Sequence, residues 1–376
     1  MKKRTIPITR PTLAPFEAYA PALRKILKSG VLTNGENVAN LEKKVAAYLG
    51  VKHAIAVSSC TSGLMLVLKG LGVKGEVIMP SFTFSASGHA ILWNDLKPVF
   101  ADIDPYTYEI NPRSVEERIT KRTSAILPTQ IFGHVCDSKP LERLARKYKL
   151  KLIFDAAHAF GSIRGHRKAG VFGDAEVFSC SPTKLMTTAE GGIIATNNDT
   201  LATFCRIGRT YGDDGSYNTT FNGLSARMSE LHAVIGLRSF SALEKNIRAR
   251  NKLVAYYKKN LLMIDRNLQF QKIPRDVRST YKDFSIFIDP EQCGYTRDEL
   301  YDFLATRGVM TRKYFYPPLH MQQSYATHYK AAHTLPVTER IASNVLSAPL
   351  YSHMTWQEID YVLATIKAFY VHKKLL

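Results

Sequence analysis

The sequence predicts an α/β protein with a large domain built on a mostly parallel sheet and a smaller C-terminal α/β domain. In the first part of the chain, short apolar runs alternate with stretches of helical length, as in parallel strands joined by crossover helices. This alternation stops after Leu237, and a long helical stretch follows from Leu243 to about Asn260. The 376 residues, 45% of them hydrophobic, are enough for two cores. We therefore place the large domain at 1–240, and the bridging helix with the small domain at 241–376.

The elements of the large domain follow in order from their hydrophobic patterns, after an N-terminal extended arm. The predicted strands are Ala54–Val57, Glu76–Met79, Pro98–Ile103, Ser124–Leu127, Leu152–Phe154, Glu176–Phe178 and Ile193–Ala195. The predicted helices are Phe16–Leu27, Val38–Leu49, Gly63–Leu71, Ser114–Ile119 (capped by Ser114) and Pro140–Tyr148. Ligands of such sheets bind beyond the carboxyl ends of the strands, so polar residues that follow strands are the first site candidates.

The small domain has fewer signals. A strand is predicted at Asp283–Ile288 and a helix at Thr296–Gly308, where Thr296 and Glu299 have the spacing of a capping box. A second box, Thr355 with Glu358, predicts the start of the C-terminal helix.

The formal net charge of +19 is large and admits a nucleic-acid partner, an anionic small substrate or a basic surface alone. The basic residues are scattered, although they are denser in Lys245–Lys282. No helix-turn-helix or RNP-like motif accompanies them. We therefore expect no nucleic-acid partner and favour a basic surface that also attracts a diphosphate substrate.

The sequence carries no sign of export, membrane insertion or metal binding. Its first residues, MKKRTIPITRPT, lack the apolar segment of a secretory signal, and no apolar run approaches membrane-spanning length. The five cysteines are odd in number and have no CxxC spacing, which indicates reduced thiols rather than disulfides or a zinc site. We expect a cytoplasmic protein with no metal site and no membrane partner.

The stretch Phe178–Gly192, FSCSPTKLMTTAEGG, holds the candidate nucleophile. Lys184 lies in a turn between two apolar runs, among serine and threonine hydroxyls, and no carboxylate lies within four residues of it. Partial burial of such a lysine lowers its pKa and leaves a reactive free amine. A solvated surface lysine is the alternative, and other stretches of the chain must decide between the two.

A second candidate site is the turn Ser58–Ser62, between a predicted strand and a predicted helix. Free backbone N–H groups and the helix dipole at such an N-terminus can bind a phosphate. An ordinary serine or threonine N-cap has the same composition. The turn therefore predicts either a phosphate site or a simple helix cap.

Several stretches together resemble the DegT/DnrJ/EryC1/StrS aminotransferases in order and spacing. They are FSCSPTKLMTTAEGG, the SSCTS turn, PSFTF at 80–84, DAAHAFG at 155–161 and NGLSARMSE at 222–230. The similarity runs from about Ile6 to the C-terminal helix. It implies a PLP-dependent transferase fold of type I (aspartate aminotransferase-like), with pyridoxal 5'-phosphate (PLP) as the cofactor, and a homodimer with shared active sites.

The resemblance gives four residues a role at the cofactor ring. Lys184 would be the catalytic lysine that binds PLP as a Schiff base, and Asp155 would keep the pyridine nitrogen protonated. His158 would bond the phenolic oxygen, and Phe84 would stack on the ring. Taken alone, Asp155 is more typical of a helix N-cap, and His158 and Phe84 are more typical of a core.

The resemblance also gives four residues a role at the PLP phosphate: Thr61, Ser62, Ser179 and Ser225. Two positions depart from the family pattern. Cys60 stands where a glycine is usual, and Ser225 stands where an asparagine reaches the phosphate of the partner subunit. A serine can still bond a phosphate oxygen, although its side chain is shorter.

Candidate substrate residues come from two segments. Arg227 keeps the basic position of NGLSARMSE, and Arg312, Tyr316 and His320 lie in TRKYFYPPLH, which matches a loop that approaches the substrate in relatives. For the second segment, a proline-rich surface turn is the alternative.

The implied activity is amination of a nucleoside-diphosphate 4-keto-6-deoxy sugar with L-glutamate as donor. The opening IPITRPTLAP and DAAHAFG look most like the dTDP-4-keto-6-deoxyglucose 4-aminotransferases. GDP-perosamine synthases and 3-keto-sugar aminotransferases are the alternatives within the family. The related 3-dehydratases have histidine in place of the lysine, so Lys184 argues against them. A basic nucleic-acid-binding regulator is the alternative from another class.

Overall fold

The computed structural model describes residues 5–326 and 334–374, so residues 1–4 of the predicted arm lie outside the described part. The strands are β1 (His53–Val57), β2 (Glu76–Pro80), β3 (Lys97–Ala101), β4 (Thr123–Ile126), β5 (Lys151–Asp155), β6 (Ile163–Arg164), β7 (Arg167–Lys168), β8 (Ala175–Ser179), β9 (Gly192–Thr196), β10 (Gln269–Phe270), β11 (Val277–Arg278), β12 (Phe284–Phe287) and β13 (Val345–Ala348). Within the described ranges, no helix combines the length and apolar composition needed to span a membrane.

The α-helices connect and cover these strands. They are α1 (Ala20–Ser29), α2 (Glu36–Leu49), α3 (Cys60–Gly70), α4 (Ser85–Leu92), α5 (Pro112–Glu116), α6 (Ser138–Tyr148), α7 (Asp199–Gly208), α8 (Glu230–Ser241), α9 (Leu243–Ile264), α10 (Pro290–Cys293), α11 (Arg297–Thr306), α12 (Gln323–Ala326), α13 (Pro336–Asn344) and α14 (Trp356–Lys374). Short 3₁₀ turns cover Phe16–Ala18, Ile131–Gly133 and Leu319–Met321.

A seven-stranded sheet forms the centre of the large domain, in the order β1-β9-β8-β5-β4-β2-β3. The pairs from β8 through β5, β4 and β2 to β3 are parallel, whereas β9 is antiparallel to both β8 and β1. The prediction of a mostly parallel sheet is therefore confirmed. The carboxyl ends of all its strands except β9 lie at one edge, where β9 begins.

Helices cover both faces of this sheet, which explains why its strands are apolar runs rather than alternating ones. One face packs against α2 and α6 through residues such as Val45 and Leu141. The other packs against α3, α4 and α7 through residues such as Leu64, Ile91 and Cys205. With both faces covered, a ligand can reach the sheet only at an edge.

A separate core lies in the C-terminal part of the chain. There β10, β12 and β13 form an antiparallel sheet, and its core includes residues of α9, α11 and α14. Ile6 joins this core, and its N–H donates to the Gly308 carbonyl at 2.8 Å. The N-terminal arm therefore crosses from the large sheet to the small one. The boundary at residue 240 stays a prediction.

One predicted helix cap is wrong. Helix α5 is capped by Asn111, whose side chain accepts a hydrogen bond from the Arg113 N–H at 3.0 Å, and Pro112 takes the first helical position. Ser114 instead accepts a hydrogen bond from the Asp102 N–H at 2.8 Å. The Asn-Pro pair competes better for the cap because proline presets the helical φ and gives up no needed N–H.

Both capping boxes predicted in the small domain are confirmed. The Thr296 N–H donates to Glu299 at 2.7 Å at the start of α11. The Thr355 N–H donates to Glu358 at 2.9 Å at the start of α14. Helices α7 and α8, which the sequence analysis does not predict, begin after capping residues Asn198 and Ser229.

Candidate active site

Polar residues from several strand ends meet at the carboxyl edge of the central sheet. They surround a cavity of about 230 Å³, entered between the turn after β1, the turn after β2 and the loop between β8 and β9. Six predicted site residues line it: Thr61, Phe84, Asp155, His158, Ser179 and Lys184. The topology thus brings together side chains that are far apart in the sequence.

The turn that carries Lys184 is held by one carbonyl group. The carbonyl of Cys180 accepts hydrogen bonds from the Thr188 N–H at 2.9 Å and from the hydroxyls of Thr187 and Thr188 at 3.2 and 3.3 Å. The Lys184 N–H donates to the Ser181 carbonyl at 3.0 Å. The two threonines after Lys184 therefore fix the backbone, while its side chain faces the cavity.

Burial lowers the pKa of the Lys184 amine to about 8, and the charge of Lys282 acts in the same direction. Lys282 is itself buried, and its Nζ lies 2.7 Å from Asp283 Oδ1. The carboxylates of Asp283 and Asp155 oppose the shift. An amine with this pKa is partly deprotonated near neutral pH, as a nucleophile or a proton carrier must be.

Asp155 ends β5 at the cavity and is almost completely buried. Its Oδ2 accepts a hydrogen bond from the Ser87 hydroxyl at 2.5 Å, and its Oδ1 accepts one from the Ala157 N–H at 3.0 Å. Burial raises the pKa of this carboxyl group, and these two donors and the Lys184 charge oppose the rise. A buried carboxylate with spare acceptor capacity suits a cationic ring N–H.

His158 presents one defined nitrogen to the cavity. Its Nδ1 accepts a hydrogen bond from the Phe132 N–H at 3.2 Å. Burial, assisted by the charges of Lys184 and Lys282, lowers the pKa of His158 well below its usual value, so the ring is neutral. With Nδ1 as acceptor, the proton of the neutral ring is on Nε2, which is therefore a donor.

Aromatic rings close the cavity. Phe84 caps the start of α4 and is 62% exposed, which is unusual for a core phenylalanine. Its ring centroid lies 6.5 Å from that of Phe315, which in turn lies 6.2 Å from the His158 ring at an angle of 26°. Phe84 therefore offers an open ring face at the mouth of the cavity.

The turn after β1 is both a helix cap and a cavity wall. Ser59 caps α3, and Ser62 closes the capping box, because its hydroxyl oxygen accepts a hydrogen bond from the Ser59 N–H at 3.1 Å. Thr61 and Ser179 line the cavity. A Cβ on Gly192 would lie 2.6 Å from the Ser59 carbonyl group, so glycine lets β9 approach this turn. The helix cap is confirmed, whereas the phosphate site in this turn stays a prediction.

Ser225 and Arg227 lie outside the cavity of their own chain. Ser225 is exposed and pairs through its backbone with Thr210. Arg227 is half-buried, pairs through its backbone with Val57, and places its guanidinium 5.4 Å from the centroid of the Tyr211 ring. Neither position contradicts a contact across a dimer, and neither tests it.

The residues of the Thr311–His320 loop separate into two groups. Arg312 and Tyr316 line a second cavity that adjoins the first through Thr83, Phe84 and Phe315. His320 is directed elsewhere, because its Nδ1 lies 2.7 Å from the Ser81 hydroxyl and its Nε2 lies 3.3 Å from Glu339.

The sequence analysis does not assign four residues at or near the site. Phe315 lies in the segment TRKYFYPPLH, and Ser87 lies in the first turn of α4, which begins directly after PSFTF. Lys282 and its partner Asp283 could have been found, because a charged pair interrupts the apolar run YKDFSIFI. When two such charges are buried, they must pair with each other, because an unpaired buried charge is strongly destabilising.

A lysine between the last two strands of a mostly parallel sheet, facing a buried aspartate, is typical of the type I fold of PLP-dependent transferases, and this chain has that fold. The crystal structure of DesI in the presence of its TDP-sugar product superimposes with a TM-score of 0.92, at 35% identity, over 98% of this chain and 93% of that chain.

The chain belongs to the DegT/DnrJ/EryC1/StrS aminotransferase family, whose sequence model matches residues 16–367. The dTDP-4-amino-4,6-dideoxy-D-glucose transaminase of Shigella dysenteriae is 33% identical over 97% of this chain and 99% of the relative. The GDP-perosamine synthase of Caulobacter vibrioides is 33% identical over 88% of this chain and 90% of the relative. The chain is therefore an enzyme of the sugar-nucleotide aminotransferase class.

Proposed function

We propose that this enzyme transfers the amino group of L-glutamate to a nucleoside-diphosphate 4-keto-6-deoxy sugar, with dTDP-4-dehydro-6-deoxyglucose as the favoured acceptor. The observation that carries the proposal is the meeting of Lys184, Asp155 and His158 around one cavity in a chain of this family. The product is then the 4-amino-4,6-dideoxy sugar nucleotide.

The cavity residues fit PLP. Asp155, buried yet supplied with two donors, suits the protonated pyridine nitrogen, and the Nε2–H of His158 suits the phenolic oxygen. The hydroxyls of Thr61 and Ser179 and the N-terminus of α3 suit the phosphate. When bound, PLP supplies an electron sink that stabilises negative charge at the reacting carbon.

The protein groups around the cofactor then have distinct tasks. The Lys184 amine removes the proton from Cα of glutamate in the first half-reaction. In the second, it returns a proton to C4 of the sugar, which receives the amino group. Asp155 holds the ring nitrogen in its protonated form throughout, and Phe84 limits the tilt of the ring. Because the first product leaves before the second substrate binds, the two half-reactions give ping-pong kinetics.

The acceptor is proposed from the relatives and from the second cavity. The names of two relatives given above specify a dTDP sugar and a GDP sugar, so a GDP-linked acceptor is the alternative to the dTDP-linked one. A 3-keto sugar is a further alternative to the 4-keto sugar. Arg312 and Tyr316 in the second cavity, and Arg227, are the proposed substrate contacts. By its position in the family motif, Ser225 is proposed to reach the phosphate of the partner subunit's cofactor in a homodimer.

A panel of nucleotide keto sugars tests the proposal. Purified enzyme is incubated with L-glutamate and with dTDP, GDP or UDP keto sugars, and 2-oxoglutarate and the aminated sugar are measured by mass spectrometry. We expect amination of the dTDP-4-keto sugar, with Lys184→Ala as the inactive control. A protein that binds PLP but aminates none of the panel would contradict the acceptor class. Binding of duplex DNA without binding of PLP would instead favour a nucleic-acid-binding regulator.

A further inference from the structure

Asp155 stands at the end of a row of buried hydroxyl groups. The Ser87 hydroxyl lies 2.5 Å from Asp155 Oδ2, and the Thr83 hydroxyl lies 3.0 Å from the Ser87 oxygen. The Thr129 hydroxyl lies 3.2 Å from the Thr83 oxygen. These side chains are almost entirely buried and come from three places: Thr83 follows β2, Ser87 is in the first turn of α4, and Thr129 follows β4.

The direction of the row follows from counting protons. An ionised carboxylate only accepts hydrogen bonds, so the single proton of Ser87 is donated to Asp155. The Ser87 oxygen must then accept from Thr83, whose proton is thereby used. Thr83 must in turn accept from Thr129. All three hydroxyl dipoles therefore point along the row toward Asp155, and each bond strengthens the next.

We propose that Ser87, backed by Thr83 and Thr129, is a positioning residue that keeps Asp155 ionised and correctly oriented for the pyridine nitrogen of the cofactor. A carboxylate in this buried place loses its hydration, and an aligned row of donors replaces it. The inference rests on the proposed function only in taking PLP as the cofactor. It makes no use of the identity of the sugar.

Other groups also face Asp155 and must be kept constant in a test. The Lys184 amine approaches from the loop between β8 and β9, and the Cys60 thiol at the start of α3 lies 3.9 Å from Oδ1. His158 and Glu190 line the same cavity. None of these groups belongs to the row, so removing the Ser87 hydroxyl leaves their charges in place.

The test measures the binding of pyridoxamine phosphate to the apo-protein as a function of pH, with fluorescence as the readout. This ligand makes no covalent bond to Lys184, so it reports only the noncovalent contacts of the ring and the phosphate, and Ser87→Ala changes only the ring side. Loss of the donor in Ser87→Ala should raise the pKa of Asp155. We expect about tenfold weaker binding at neutral pH, and an acid limb of the pH profile that moves up by about one unit.

Two further variants separate this role from a merely structural one. Ser87→Thr keeps the hydroxyl and should restore both affinity and profile. Ser285→Ala removes another buried hydroxyl, which pairs with Ser347 at 2.7 Å in the small-domain sheet, and should leave both unchanged. If Ser87→Ala does not fold, Thr129→Val breaks the row at its far end and should shift the profile in the same direction by less.

The outcomes are distinct. An unchanged pH profile in Ser87→Ala or in Thr129→Val, or no rescue by threonine, would overturn the role of the row while leaving the proposed function intact. Failure of the wild-type protein to bind pyridoxamine phosphate would overturn both, because the cofactor itself would be wrong.

Discussion

The inner and outer parts of the candidate site differ in how completely one chain builds them. Around Asp155 and Lys184, the polar groups are buried and bonded to neighbours in the same chain. At the rim, Phe84 is 62% exposed and Tyr316 is 48% exposed, and both face cavities. The inner part is thus organised before any ligand arrives, whereas the rim is open to what binds there.

This difference indicates a division of tasks. A buried, preorganised set of groups suits the chemistry that both half-reactions share, because the same cofactor is used in each. An open rim suits the discrimination between the two unlike substrates of the proposed function, an amino-acid donor and a sugar nucleotide. Changes to the inner part should therefore damage both half-reactions, and changes to the rim should damage one.

The largest effect is expected for Lys184→Ala. Loss of the amine that carries the proton should reduce turnover by about 10⁴-fold and abolish the visible absorbance of the lysine-bound cofactor. The variant should still bind pyridoxamine phosphate, since the ring and phosphate contacts remain. Borohydride reduction of the wild type, followed by peptide mapping, checks the assignment directly. A pyridoxyl label on any other lysine would disprove it.

The second-largest effect is expected for Asp155→Asn, which should lower the rate of both half-reactions about a hundredfold. The amide is of similar size but cannot hold the ring nitrogen in its protonated form. Thermal unfolding should change little, because the amide oxygen can still accept from the Ala157 N–H while the Ser87 hydroxyl oxygen accepts from the new amide NH₂. Near-normal turnover would show that Asp155 serves only the backbone turn after β5.

The predictable part of the molecule is the inner one. Asp155 ends one apolar strand and Lys184 lies in the turn that follows another, and the carboxyl ends of those strands share one edge, so the alternating pattern was enough to bring them together. The antiparallel course of β9 did not disturb this, because its start lies at the same edge. Resemblance then supplied His158 and Thr61, which pattern alone would leave in a core or a cap.

The residues that escaped prediction act through distant contacts. Ser87 looks like an ordinary polar residue in a first helical turn, and only the hydrogen bond in the structure shows that it reaches Asp155 at the end of β5. Lys282 arrives from a segment in the C-terminal part of the chain, which no local pattern relates to Lys184. The hydroxyl of Ser62 takes part in the reciprocal bonds of a capping box, and its contact with the phosphate stays a prediction.

The Lys282–Asp283 pair allows the pKa of Lys184 to be shifted in opposite directions by two single substitutions. Lys282→Gln removes a positive neighbour and should raise the pKa of Lys184 by about one unit. Asp283→Asn removes a negative neighbour and should lower it. At neutral pH the first variant should be several-fold slower, with activity recovering as the pH rises, because less of its amine is free.

The measurement is competitive acylation of Lys184 in the apo-protein, read by peptide mass spectrometry from neutral to alkaline pH. Each variant leaves one buried charge of the pair without its partner, so loss of stability alone should affect both alike. Shifts of the same sign would therefore show that the pair acts through the fold rather than through its charges.

The most selective effect is expected for Arg227→Ala, outside the cavity of its own chain. Its guanidinium lies beside Tyr211 rather than in the cavity, so its proposed ligand is the diphosphate. We expect the half-reaction with the keto sugar to become about tenfold less efficient and the glutamate half-reaction to stay almost unchanged. The two are measured separately, by the loss of cofactor absorbance with glutamate and its return with the keto sugar. Arg113→Ala, at a site where 89% of the side chain is exposed, is the control, because salt screens charges beyond about 10 Å. Equal damage to both half-reactions would instead assign Arg227 to the cofactor or the dimer.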